Sequence, residues 1–148
     1  NPRIFGQTYD DKFGTTDKPV FRKYLPPTQE QMDTEFLGTN VPLMRYSNVL
    51  LMKAEALNEL QRSPEAIPFI NEVRARADMP NMVGASYDAV KAQIEHERII
   101  EFPLENFRFY DLRRWGKTKS ALDAVGRTNF DPAKNNFYPV PLTEIQNN

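Results

Sequence analysis

Between Glu97 and Gly116 the chain reads ERIIEFPLENFRFYDLRRWG, with charges set among aliphatic and aromatic residues at almost every step. A surface helix ordinarily keeps its apolar residues in one stripe and its charges on the opposite face. At 100° per residue, Tyr87, Val90 and Ile94 form one core-facing stripe. One and two turns further along, that stripe carries Glu97, Arg98 and Glu101. In the following helix Phe107, Tyr110 and Trp115 share a side with Asp111 and Arg114. A charge on a core face is costly unless it is paired. The two helices are therefore expected to pack together, with Glu97, Glu101, Glu105 and Asp111 neutralised by Arg98, Arg108, Arg113 and Arg114. Arginine suits this task because its planar fork holds a carboxylate with two hydrogen bonds and stacks on aromatic rings. The expected product is an architectural lock that fixes the angle and register of two helices.

Three chemical readings of the same residues compete with it. Paired carboxylates serve as acid and base in glycosidases, but Glu97 and Glu101 fall on one helix face instead of flanking a bond from two sides. The basic and aromatic interleaving of RFYDLRRWGK resembles a nucleic-acid surface, yet Asp111 and the neighbouring glutamates offset it and the whole chain carries a net charge of −1. Metal binding would rest on His96, the only histidine, within an E-H-E pattern unlike H-E-x-x-H, and a solvated helix position is expected for it. With no cysteine, thiol catalysis, disulfides and zinc-thiolate sites are excluded. There is no Gly-rich phosphate loop and no nucleophile elbow. No apolar run approaches the roughly 20 residues of a membrane span, and no signal peptide is visible. The chain begins at Asn1, so a processed product or an excised piece is expected.

Residues 1–41 are read as an extended, irregular segment packed on a core, with VFRKYL as a short strand. Its aromatics Tyr9, Phe13, Phe21 and Tyr24 argue against disorder. A mostly α domain is expected over 42–148. Its first helix spans 42–61, opened by Pro42, with Leu43, Tyr46, Leu50, Ala54 and Leu57 in register and Met44, Leu51 and Met52 buried on other faces. A second helix has Ser63 as N-cap, Pro64 in its first turn and a stripe of Ile67, Ile70, Val73 and Ala77 before Pro80. The short connection makes the pair an antiparallel hairpin. Small residues Ala54 and Ala66 give it the spacing of a single tetratricopeptide unit, and a generic helical hairpin fits equally. Further helices are expected from Ser86 to Phe102, Asn106 to Trp115 with Gly116 as cap, Lys119 to Val125, and for one turn at Thr143–Gln146 in an otherwise extended tail.

Three segments resemble one known family. LMRYSNVLLMKAEALNE is similar to the R-Y-A-D-V-L-L-M-Y-A-E-A helix of the SusD/RagB family, ERIIEFPLENFRFYDLRRWGK to its E-R-R-x-E-F-x-x-E-G-x-R-x-x-D-L-x-R-W-G signature, and FYPVPLTEIQNN to its closing P-I-P-x-x-E-I-x-x-N. The resemblance covers roughly residues 40–148. It implies a mostly helical scaffold with tetratricopeptide-like helix pairs. It also implies an outer-membrane lipoprotein of Bacteroidetes, held at the cell surface over a SusC-like TonB-dependent transporter. Such a protein binds an oligosaccharide or other nutrient for carbohydrate uptake, with no enzyme activity, no cofactor and no nucleic-acid partner. The family's lipid anchor is absent from this chain, and its usual length is several times greater, so a C-terminal portion is expected. Asn106 stands where the family often carries glycine. The alternative is a helical-hairpin module that binds protein and no sugar. Tyr9, Phe13, Tyr24 and Trp115 are the candidate sugar-contacting aromatics, with anchoring or packing as the competing role for each.

Overall fold

The computed structural model describes residues 3–8, 11, 14, 22–26, 28–34 and 40–146. It divides into two compact units, Asn1–Leu43 and Met44–Asn148.

In the first unit, β1 (Arg3–Ile4) and β2 (Gln7–Thr8) form an antiparallel hairpin pairing Arg3 with Thr8 and Ile4 with Gln7. Phe5 and Gly6 both lie at positive φ, 52° and 83°, as a two-residue type I′ turn requires. Arg22–Tyr24 form a 3₁₀ turn where a strand was expected. Tyr24, at the end of that turn, is half-buried. Helix α1 (Gln29–Met32) is capped by Thr28, whose hydroxyl accepts from the Gln31 N–H at 3.3 Å. Tyr9, Phe13 and Phe21 lie outside the described residues.

The second unit is built on the hairpin of α2 (Tyr46–Glu59) and α3 (Ser63–Arg76), with α4 (Tyr87–Glu101) packed against both. Leu51, Ala54, Ala66, Ile70 and Val90 are fully shielded and, with Leu50, Val73, Ile94 and Phe102, form the core. Ala54 and Ala66, both fully shielded in the core, leave room for the close approach of α2 and α3. Four shorter helices follow: α5 (Phe107–Arg114), α6 (Thr118–Asp123), α7 (Pro132–Asn135) and α8 (Leu142–Gln146). Nothing in the sequence reading anticipated α7.

Several expectations are corrected. Helix α2 starts at Tyr46 instead of Pro42, so Leu43 is 91% exposed and Tyr46 67% exposed. Met44 and Met52 also face outward. Ala77 is the exposed C-cap of α3 and carries no core contact. Ser63 lies inside α3, behind the N-cap Arg62, and its hydroxyl donates to Asn58 Oδ1 at 2.6 Å. Asn58 in turn donates to the Tyr87 carbonyl at 3.1 Å, so one buried amide ties the starts of α3 and α4 to the end of α2. Ser86 does cap α4, accepting from the Ala89 N–H.

Asn106 is the N-cap of α5 and sits at φ 61°, in the left-handed region. Glycine adopts that conformation freely and asparagine tolerates it better than most residues. The turn before it also holds Leu104 at φ 64°. At the other end of α5, Gly116 (φ 68°) lets the Lys117 N–H close back on the Leu112 carbonyl at 2.8 Å.

Candidate functional site

Glu97, Arg98 and Glu101 are all buried on the line of α4 that also carries Val90 and Ile94. Their partners come from elements far away in sequence. Arg74 of α3 donates from Nη1 to Glu97 Oε1, and Gln93 donates to the same oxygen at 2.6 Å. The Nε of Arg74 also donates to the Pro80 carbonyl at 2.8 Å, tying the loop after α3 into the same cluster.

Arg45, the extended N-cap of α2, is a hub. Its Nη1 donates to Glu101 Oε1 and its Nη2 to the Glu101 carbonyl, each at 2.7 Å. Its Nε and Nη2 hold Glu105 at 2.8–3.1 Å. Arg76 completes Glu101 by donating to Oε2 at 2.8 Å. Burial alone pushes the Glu101 carboxyl up, but the hydrogen bonds from Arg45 and Arg76 together hold it below the ordinary carboxylate range. A carboxyl held low is a poor proton donor near neutral pH.

The second centre joins α4 to α5. Arg98 donates from Nε to Asp111 Oδ2 at 2.7 Å and from Nη1 to Asn48 Oδ1 at 2.9 Å. Arg98 and Asp111 side chains are each 5% exposed. The guanidinium of Arg98 also lies 5.1 Å from the Phe102 ring and 5.7 Å from that of Phe107. Arg45 covers Phe102 from 5.1 Å as well. Arg114 donates to Asp111 Oδ1 at 3.0 Å and grips both oxygens of Glu55 on α2. Trp115 donates its indole N–H to Glu55 at 2.8 Å, and Arg114 stacks 4.6 Å from its ring. Its polar atom and one neighbouring cation are thus spent within the scaffold, and the residue is half-buried.

Arg108 and Arg113 do not join this network. Arg108 is exposed and meets no carboxylate among the described residues, and Arg113 lies over Phe137 at 5.4 Å. The reason is packing: α4 packs more extensively on α2 and α3 than on α5, so for Glu97, Glu101 and Glu105 the hairpin supplies Arg45, Arg74 and Arg76 where the next helix was expected to supply guanidinium groups. Tyr110, expected beside Asp111, is 51% exposed and its hydroxyl lies 3.4 Å from that of Tyr138. Of the missed partners, Arg45 and Glu55 both stand in the LMRYSNVLLMKAEALNE segment and could have been found there. Nothing in the sequence marks Arg74 or Arg76 as partners of residues 23 and 25 positions away.

His96 is exposed, and no group of three potential metal-ligating side chains occurs among the described residues. No helix among them is long and apolar enough to cross a membrane.

Compared with known proteins, residues 6–148 match the SusD family. One SusD-like protein of Formosa agariphila is 34% identical over 100 residues, covering 62% of this chain and 19% of that protein. A second from the same organism is 34% identical over 123 residues, covering 75% of this chain and 24% of that protein. The crystal structure of a SusD superfamily protein from Bacteroides vulgatus aligns with a TM-score of 0.69 at 35% identity, over 74% of this chain and 26% of the other. The chain thus spans about a fifth to a quarter of the length of the relatives it matches.

Proposed function

Because this chain belongs to the SusD family, we propose that its protein captures a glycan or another nutrient without chemically changing it, as part of an outer-membrane uptake system. In this reading the protein is lipid-anchored at the cell surface and delivers its cargo to a SusC-like TonB-dependent transporter. The buried ion pairs between Arg45 and Trp115 act as scaffold.

One observation carries the non-catalytic part. Glu97, Glu101, Glu105 and Asp111 point inward at Arg45, Arg74, Arg76, Arg98 and Arg114, with bonds that leave no pair of carboxylates set across an open cleft. Glycoside cleavage needs one carboxyl raised to act as an acid and a second on the far side of the bond.

The test is a glycan panel presented to the full-length protein in affinity gels and by calorimetry, with product analysis of each bound sugar. Binding without turnover is expected. Blanks against every glycan, together with tight binding to a protein or peptide, would replace this reading with that of a helical-hairpin adaptor.

A further inference from the structure

The start of α2 and the end of α3 lie side by side at one end of their hairpin. Between them is a cavity of about 350 Å³, lined by Arg45, Tyr46, Leu50, Glu72, Val73 and Arg76. That volume falls in the range of small-molecule sites, which run from about 300 to 1,000 Å³. Leu50 and Val73 are core residues and give it an apolar floor. Tyr46 presents an exposed ring at the rim. Beside it the Glu72 carboxylate raises the Tyr46 phenol above its ordinary value, which places an acceptor and a ring together.

Arg76 spends one nitrogen on Glu101, and its side chain is 66% exposed. Its remaining guanidinium N–H groups meet no acceptor among the described residues. The charge balance then decides the ligand class. Arg45 and Arg76 are already bonded to the carboxylates of Glu101 and Glu105, and Glu72 adds a third carboxylate to the lining, so the cavity holds no surplus positive charge to attract an anion.

A small apolar floor, one exposed aromatic ring, one planar donor and one planar acceptor match the surface of a sugar. A pyranose offers a C–H face for stacking and a rim of hydroxyls that donate and accept. We propose that this cavity is a subsite for one residue of an uncharged saccharide. Tyr46 stacks on the sugar's C–H face, Arg76 donates to its hydroxyls and Glu72 accepts from them. The assignment rests on the nutrient-binding reading above and adds a location and a charge class to it.

Saturation-transfer difference NMR on the full-length protein tests it, using maltose, cellobiose, xylobiose and laminaribiose as neutral probes and digalacturonate as the anionic one. At least one neutral disaccharide is expected to give a signal, and digalacturonate none at equal concentration. Tyr46→Ala and Glu72→Gln should each weaken that signal fivefold or more while the circular dichroism melt is unchanged. Tyr138→Ala, which alters an exposed aromatic elsewhere, should leave it intact. Wild-type binding that survives both Tyr46→Ala and Glu72→Gln would overturn the subsite and leave the nutrient-binding reading standing. Preference for digalacturonate would overturn the charge assignment and with it the proposal. Silence of the wild type toward every neutral probe would overturn the subsite and leave the nutrient-binding reading to the glycan panel.

Discussion

Asp111→Ala isolates the cost of burying one guanidinium without its counter-charge. In the wild type, Arg98 and Asp111 side chains are each 5% exposed and joined at 2.7 Å. Removing the carboxylate leaves Arg98 with Asn48 and the faces of Phe102 and Phe107. Breaking a buried pair from one side costs about 3–5 kcal/mol, because a desolvated charge remains. Cation–π contacts of about 1–2 kcal/mol soften that cost, so a loss near the lower end, about 3 kcal/mol, is expected. Arg114→Ala supplies the internal comparison. Its side chain is 42% exposed, and Asp111 keeps Arg98 when Arg114 is gone. An exposed partner of this kind contributes about 1 kcal/mol or less. Urea unfolding followed by helical circular dichroism measures both variants, with the slope checked for constancy. The double replacement Arg98→Met with Asp111→Leu removes both charges at once and should recover stability to within about 1 kcal/mol of wild type. If Asp111→Ala costs no more than Arg114→Ala, the pair is not desolvated and the reasoning fails.

Other expectations concern the same scaffold. Leu104→Gly should raise stability by about 1 kcal/mol, and Asn106→Ala should lower it by a similar amount, since both positions sit in the left-handed region. The same urea curves read these two. Glu101 has a folded pKa below its ordinary 4.5, so its contribution to stability is complete above that pH and fades as pH falls through the lower, folded value. Unfolding free energy measured from pH 7 to pH 3 should therefore hold level to about pH 5 and then drop, and Glu101→Gln should flatten part of that drop. Full-length protein given an aryl glycoside should release no phenol, and a wild-type rate that vanishes in Glu97→Gln would contradict the non-catalytic reading.

Periodicity revealed the buried charges and the Arg98 and Arg114 partners of Asp111, but not the partners of Glu97, Glu101 and Glu105. The wheel placed Glu97, Arg98 and Glu101 on the line of Val90 and Ile94, because local geometry decides which face a residue occupies. Pairing is decided by which helices pack, and adjacency in sequence misled: α4 rests on the hairpin 23 to 56 residues upstream. The start of α2 was misplaced for a related reason. Pro42 is a good opening residue, but Arg45 must stay extended, at φ −121° and ψ 158°, and from there its side chain holds Glu101 and Glu105. Ser63 has a capping side chain, yet tertiary structure spends its hydroxyl on Asn58. Where only local rules operate, as at Ser86 and Gly116, the sequence was enough.

Asp111→Asn in the full-length protein, which removes the charge at nearly constant shape, separates holding the fold from holding a ligand. Unfolding midpoint and affinity for the strongest-bound neutral disaccharide should be measured on the same sample. A midpoint that falls while affinity stays within twofold of wild type is the expected result. Affinity that collapses while the midpoint stays put would show that these charges serve a ligand and not the fold.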